Sequence, residues 1–216
     1  MSMRILFCNI AWMKFYKGTC SDDIPVNGGS YVIQTGTANE EFNFLPFENE
    51  NGDYYCYGSV ETKSTKGRKS NELHIEKLEG CALLAGEEAI DDVLVIFCAR
   101  PDRGSEKNNT HIVGWYQHAT VFRNYQPVKL CFEDEELERA FNIMTKNENA
   151  VLLPVGLRCR RSLWWAPRAI EQGYGFGQAN VWFPTNLKSD AAQNYISNIV
   201  KQIKDYDEEN WIDKYE

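Results

Sequence analysis

The stretch "HIVGWYQHATVFR", His111 to Arg123, constrains the fold more than any other part of the chain. It is rich in β-branched and aromatic residues, as strands are. A half-exposed strand alternates apolar and polar side chains. Here Val113, Trp115, Ala119 and Val121 fall on one alternate set and Ile112, Tyr116 and Phe122 on the other. Both faces carry large apolar groups, so both are covered at least in part. The run "VLVIFCA", Val93 to Ala99, is continuously apolar, as a strand buried on both faces is. Together they read as the central hairpin of a closed or strongly curved small barrel, with Gly114 permitting a bend or a close approach.

The remaining pattern is mostly strands. "RILFCNIAWM" predicts an opening strand, and "EEFNFLPF" and "DYYCYGSVE" predict two short strands around the turn "ENENGD". "LHIEKLEG" alternates and predicts another. Asn27-Gly28-Gly29 and "RPDRGSEKNNT" read as turn and loop. Leu137, Ala140, Phe141 and Met144 have i, i+3, i+4, i+7 spacing and predict an amphipathic helix near 134–147. Ile196, Ile199, Val200 and Ile203 repeat the spacing in a C-terminal helix, with Ser189 as its cap and Asp190 in its first turn. The expected class is α+β: a barrel domain over residues 1–188, then a helix and polar tail over 189–216 that pack on it or lead out of it.

The 216 residues suffice for one globular domain with a real core. The net charge of −8 argues against wholesale coating of nucleic acid, since non-specific affinity comes from cations neutralising phosphates. It leaves room for a local basic face. The seven cysteines are odd in number and form no C-x-x-C. They read as buried free thiols in a reducing compartment, with a zinc site of dispersed Cys and His as the alternative. The run "MSMRILFCNIAWMK" is broken by Asn9, too short for a membrane span and without a small-residue cleavage site. The expectation is a cytoplasmic protein with no membrane partner.

"DDVLVIFCA", a loop and "HIVGWYQHATVFR" together resemble the PUA-like base readers of the EVE, YTH, ASCH and SRA type. The wider set "ILFCNIAWMKFYKG", "GGSYV", "FNFLPF", "CYGSV", "IVGWYQHATVFR", "VLLP" and "GFGQANVWF" resembles a bacterial domain at the N-terminus of HNH-type, modification-dependent restriction endonucleases. This resemblance implies a PUA-like curved β-barrel with a few peripheral helices. It implies a partner, DNA carrying a methylated or hydroxymethylated base, read by extrusion in the service of restriction or defence beside a nuclease domain or subunit. An extruded base is stacked on aromatic faces and hydrogen-bonded on its Watson–Crick edge. The candidates for such a pocket are Trp12, Tyr16, Trp115 and Tyr116, with Asn9, Gln117 and His118 as polar partners. The alternative is that the aromatics are core or strand-end packing and that His118 is structural.

Phosphate contacts would come from Lys63, Lys66, Arg68 and Lys69 of a polar loop, and from Arg158, Arg160, Arg161 and Arg168 of "RCRRSLWWAPR". The alternative for the latter is a solvated loop whose tryptophans pack on the barrel. "GYGFGQAN" has G-x-G-x-G spacing and precedes a strand-like segment, so it is no dinucleotide fingerprint. The rival class is a metal-dependent nuclease built on Asp53 and the E-x-K of Glu61-Thr62-Lys63. A nucleotide-ligand sensor or a protein-interaction domain is the third. No catalytic constellation, metal-ligand set or cofactor motif stands out, so none is expected.

Overall fold

The computed structural model describes residues 3–27, 39–49, 51–62, 72–101, 110–132, 135–160 and 163–214, without the side chains of 39, 131, 132 and 135–137. The strands are β1 (Arg4–Ile10), β2 (Pro46–Glu48), β3 (Tyr54–Gly58), β4 (Ala89–Ala99), β5 (Thr110–Phe132), β6 (Glu135–Lys146), β7 (Ala150–Leu152), β8 (Trp165–Ala166) and β9 (Val181–Trp182). They form one sheet in the order β2-β3-β6-β5-β4-β1-β9, with β7 and β8 also on β5. β1 runs parallel to β4, and the other pairings are antiparallel. The sheet does not close through its described strands. The helices are α1 (Val155–Arg158), α2 (Ala169–Gln172) and α3 (Asp190–Lys204). The fold is mixed α+β around an open sheet.

The expected central hairpin is β4–β5, and β5 runs for 23 residues. Its first part lies between β4 on one side and β7 and β8 on the other, and its second part pairs with β6. The register slips between Ile90/Val93, Val93/Val95 and Phe97/Cys98. An inserted residue bends a strand and shifts the faces. Val113 and Tyr116 therefore share a core although their numbers differ by an odd step, while Ile112 and Trp115 share the other. Gly114 is placed where a Cβ would lie 2.2 Å from the Val151 carbonyl oxygen.

Both faces of the sheet are covered, as the sequence demands. One core holds Leu6, Cys8, Val95, Phe97, Tyr116 and Phe44. The other holds Phe7, Ile96, Trp115, Trp164 and the α3 residues Tyr195, Ile199 and Ile203. Ser189 caps α3 by accepting from the Ala192 N–H at 3.2 Å. The side chain of Asn210 accepts from the Leu152 N–H and donates to the Ala150 carbonyl, both at 3.0 Å, which ties the C-terminal turn to β7.

Two expectations are corrected. The stretch read as a helix near 134–147 is strand β6. It fills the edge that the second half of β5 leaves open, and its own far edge takes β3. Sheet pairing overrides helical spacing there. "LHIEKLEG" is not a strand but a coil with a 3-10 turn at Ile75–Lys77, and it drops Leu73, Ile75 and Leu78 into the first core. No described helix is long and apolar enough to cross a membrane. Cys8, Cys56, Cys81 and Cys98 are buried free thiols, and Cys20 and Cys159 are exposed ones.

Candidate functional site

β1 and β4 end, and β5 begins, at the same rim of the sheet. Trp12 lies two residues beyond β1. Its backbone is fixed by a two-bond bridge to Val26, at 2.7 and 3.0 Å. Asn27 follows in the left-handed region (φ 63) and donates its side-chain amide to the Arg100 and Pro101 carbonyls at 3.0 and 3.1 Å. That pins the end of β4 beside the Trp12 loop. His111 stands opposite Ala99 on β5, and its ring meets the Trp12 ring edge-on, centroids 6.5 Å apart. The neighbouring Thr110 hydroxyl accepts from Arg168 Nη1 at 3.3 Å.

The loop carrying Trp12 is held from two sides. The Asp23 carboxylate accepts from the Lys14 and Phe15 N–H groups at 2.5 and 2.8 Å. Arg158 donates to the Leu153, Met13 and Lys14 carbonyls at 2.6, 2.7 and 2.7 Å. Arg158 is fully buried, and burial lowers its pKa to about 10. Its guanidinium lies 5.6 Å from the centre of the Trp12 ring. Trp12 itself is half-buried, so its indole has a fixed inner face and an exposed part.

Arg100 lies close enough to Arg168 to oppose its charge. The Arg168 pKa is lowered, first by burial and then by Arg100. Glu40, close to Tyr16, is buried and its carboxyl is pushed up to about 7, first by burial, with Glu61 and Glu41 adding to it.

The residues singled out in the sequence separate into three places. Tyr16, Trp115 and Tyr116 have no exposed surface and are core. Tyr16 donates its hydroxyl to the Ala11 carbonyl at 2.7 Å, and Trp115 stacks on Trp164 with centroids 5.3 Å apart. None of the three can touch a base without unpacking the core. Asn9, Trp12, Arg160 and Arg168 lie toward the rim. The Asn9 backbone N–H donates to the Asn180 carbonyl at 2.7 Å, and its buried side-chain oxygen has no partner among the described residues. Arg160 is exposed, whereas Arg158 is buried structure and cannot reach a phosphate. Gln117 and His118 are six and seven residues further along β5, roughly 20 Å from the rim, so they do not join Trp12. Lys63, Lys66, Arg68, Lys69 and Arg161 lie outside the described residues, as do Gly28 and Gly29 and most of "RPDRGSEKNNT".

Asp53 and Glu61 flank β3 at opposite ends, roughly 20 Å or more apart in an extended chain. The length of β3 separates them, and Lys63 of the E-x-K lies outside the described residues. Among the described residues no three His, Cys, Asp or Glu side chains are grouped to hold a metal. The reading of the sequence missed Arg100, His111, Asn27 and Glu40. Arg100 carried a signal, as the cation that closes "VLVIFCAR". Glu40 carried none, since burial and not residue type makes it unusual. Comparison with protein-family models, curated proteins and solved structures found no match to this chain.

Proposed function

We propose that the chain is a nucleic-acid reader: it takes a modified base of DNA, turned out of the duplex, onto Trp12 and holds the flanking phosphates with Arg100 and Arg168. The observation that carries this reading is the rim itself. A half-buried indole against a buried guanidinium follows the end of β1, and Arg100 and Arg168 follow the ends of β4 and β8 at the same rim, in a chain of net charge −8. An aromatic face beside guanidinium groups matches the two chemistries of a nucleotide, a π-surface and an anion. The bent β4–β5 hairpin supports a kinship with PUA-like barrels, and the reading extends to restriction or defence with a nuclease as partner.

The test is binding by fluorescence anisotropy to duplexes with plain cytosine or adenine, and with 5-methylcytosine, 5-hydroxymethylcytosine or N6-methyladenine. The chain should prefer one modified duplex. Trp12→Ala should lose that preference by roughly 1–3 kcal/mol, the worth of one stacked base. A preference untouched by Trp12→Ala would end the reading, as would equal and salt-insensitive binding to every duplex.

A further inference from the structure

We propose a second binding site at the other end of the same strands, a cavity that takes a small zwitterion with a hydrocarbon body: an apolar α-amino acid. The cavity has a volume of about 520 Å³, the size of a small-molecule site. Its floor is apolar: Leu94 from β4, and Val200 and Ile203 from α3. Around that floor stand two cations, Arg4 and Lys204, and two carboxylates, Glu79 and Asp92.

The bulges in the central hairpin shape the wall. Asp92 and His118 both occupy the left-handed region (φ 58 and 49), which aspartate and histidine enter more readily than most side chains. The register slips beside Val93 turn both residues out of the ladder and into the cavity wall. There the His118 Nδ1–H donates to the Asp92 carboxylate at 2.8 Å, which orients the carboxylate and leaves its charge in place. The four charges do not consume one another. Among the described residues Arg4 gives one N–H to the Asp91 carbonyl at 2.9 Å and pairs with no carboxylate. The Lys204 and Glu79 side chains make no bond among them. Two cations and two carboxylates held apart over one apolar floor suit a ligand that carries a charge of each sign. A simple anion or cation would bring a charge that the wall has already balanced. Glu79 offers an acceptor to an ammonium group, and Arg4 and Lys204 offer donors to a carboxylate. The C-terminal end of α3 adds negative potential, which the ammonium also meets favourably. No Phe, Tyr or Trp among the described residues lines the cavity, so a quaternary ammonium would lack the aromatic faces it needs. A primary ammonium, with N–H donors for the carboxylates, fits.

The site is independent of the base-reading rim, since Asp92 and Ala99 lie far apart along β4, roughly 20 Å. The experiment uses the full chain, calorimetry and thermal melting. The probes are L-leucine and L-phenylalanine, each set against the amine that lacks its carboxylate (3-methylbutylamine, 2-phenylethylamine) and the acid that lacks its ammonium (4-methylpentanoate, 3-phenylpropanoate). At least one amino acid should bind one to one and raise the melting temperature. Its amine and its acid should each bind at least about tenfold more weakly, the scale of one charge-assisted contact. Glu79→Gln should weaken the amino acid about tenfold and leave the acid unchanged. Lys204→Gln should weaken the amino acid by a similar factor and leave the amine unchanged. Lys204 is exposed, so that variant reports even if Glu79→Gln fails to fold. Amino-acid binding should be the same in Trp12→Ala, which keeps this proposal separate from the reading of bases. An amine or acid that binds as tightly as its amino acid would overturn the proposal. So would amino-acid affinity unchanged by Lys204→Gln, or no binding of either amino acid.

Discussion

Trp115 and Trp12 belong to one sheet and lead opposite lives. Trp115 is sealed: it stacks on Trp164 and receives the edge of Tyr206 at 5.2 Å. Among the described residues its indole N–H finds no acceptor, and the Tyr116 hydroxyl finds no partner either. Trp12 keeps part of its ring open and borders the Arg158 guanidinium. The polar tip of a tryptophan suggests a rim or a pocket, yet here it did not decide the placement. Burying an aromatic side chain of 150–250 Å² stabilises by about 4–6 kcal/mol. An unsatisfied donor costs roughly 1–3 kcal/mol. Area wins in the middle of β5, where layers on both sides are available. At the rim Trp12 is only half-buried, and part of the same side chain stays open.

The sharpest way to break the comparison is to disturb the sealed end. In Gly114→Ala the new Cβ would meet the Val151 carbonyl oxygen at 2.2 Å and the Phe44 ring at 2.8 Å. One obstacle is backbone in the paired β7, so it cannot swing aside. The loss should exceed about 4 kcal/mol or abolish the fold. Urea unfolding followed by near-UV circular dichroism reads it. A change below about 1 kcal/mol would mean that β5 and β7 are not packed as described.

Next is the pair itself. Trp115→Ala should cost about 3–5 kcal/mol, as large aromatic truncations in cores do. Trp12→Ala should cost clearly less, about 1 kcal/mol, because Trp12 is only half-buried. Thermal melting of the two variants under one condition gives the ratio. Equal losses would make Trp12 a core residue and remove it as a stacking platform.

The contrast also separates what a sequence can declare from what it cannot. The two apolar runs of β4 and β5 announced strands covered on both faces, because no polar face was left to them. The C-terminal helix was legible from Ile196, Ile199, Val200 and Ile203 because its spacing came with a local stop and start: the Ser189 side chain closes its first turn. Leu137, Ala140, Phe141 and Met144 share that spacing and lie in a strand. What decided there was distant, the open edge of β5 from Thr120 to Phe132 and the waiting edge of β3. The site was legible only in part. Trp12 and Arg168 could be named from aromatic and basic composition. Which aromatics the bulges would turn inward depended on register slips that spacing does not encode. "GWY" therefore looked like a pocket wall and is core.

Glu40 tests whether the rim end is as dry as the middle. Its carboxyl is raised from the usual 4.5 to about 7 in the folded chain, chiefly by burial. The native state therefore holds a proton that the unfolded chain releases between those values. Stability falls as pH rises from about 4.5 to 7, by up to roughly 3 kcal/mol if the whole shift is realised. Glu40→Gln should remove that slope and leave the protein more stable at pH 8 than the parent. Melting temperatures across pH 4.5–8 measure it. A parent profile parallel to that of the variant would show that water reaches Glu40.

The smallest effect expected on the fold is that of Arg168→Gln, and it sharpens the rim. The Arg168 side chain contributes one hydrogen bond, to the Thr110 hydroxyl, which a glutamine amide can replace. The substitution also relieves repulsion from Arg100. Melting should move by no more than about 0.5 kcal/mol equivalent, the usual range for a surface change. DNA binding should respond differently. Losing one phosphate contact should weaken every duplex to a similar degree and reduce the slope of log affinity against log salt by about 0.9. Preference among bases should survive, because the guanidinium would touch only the backbone. If preference falls while the slope is kept, Arg168 reads a base edge and Trp12 is not the only residue at the rim that discriminates. If neither moves, the two arginines do not meet the nucleic acid.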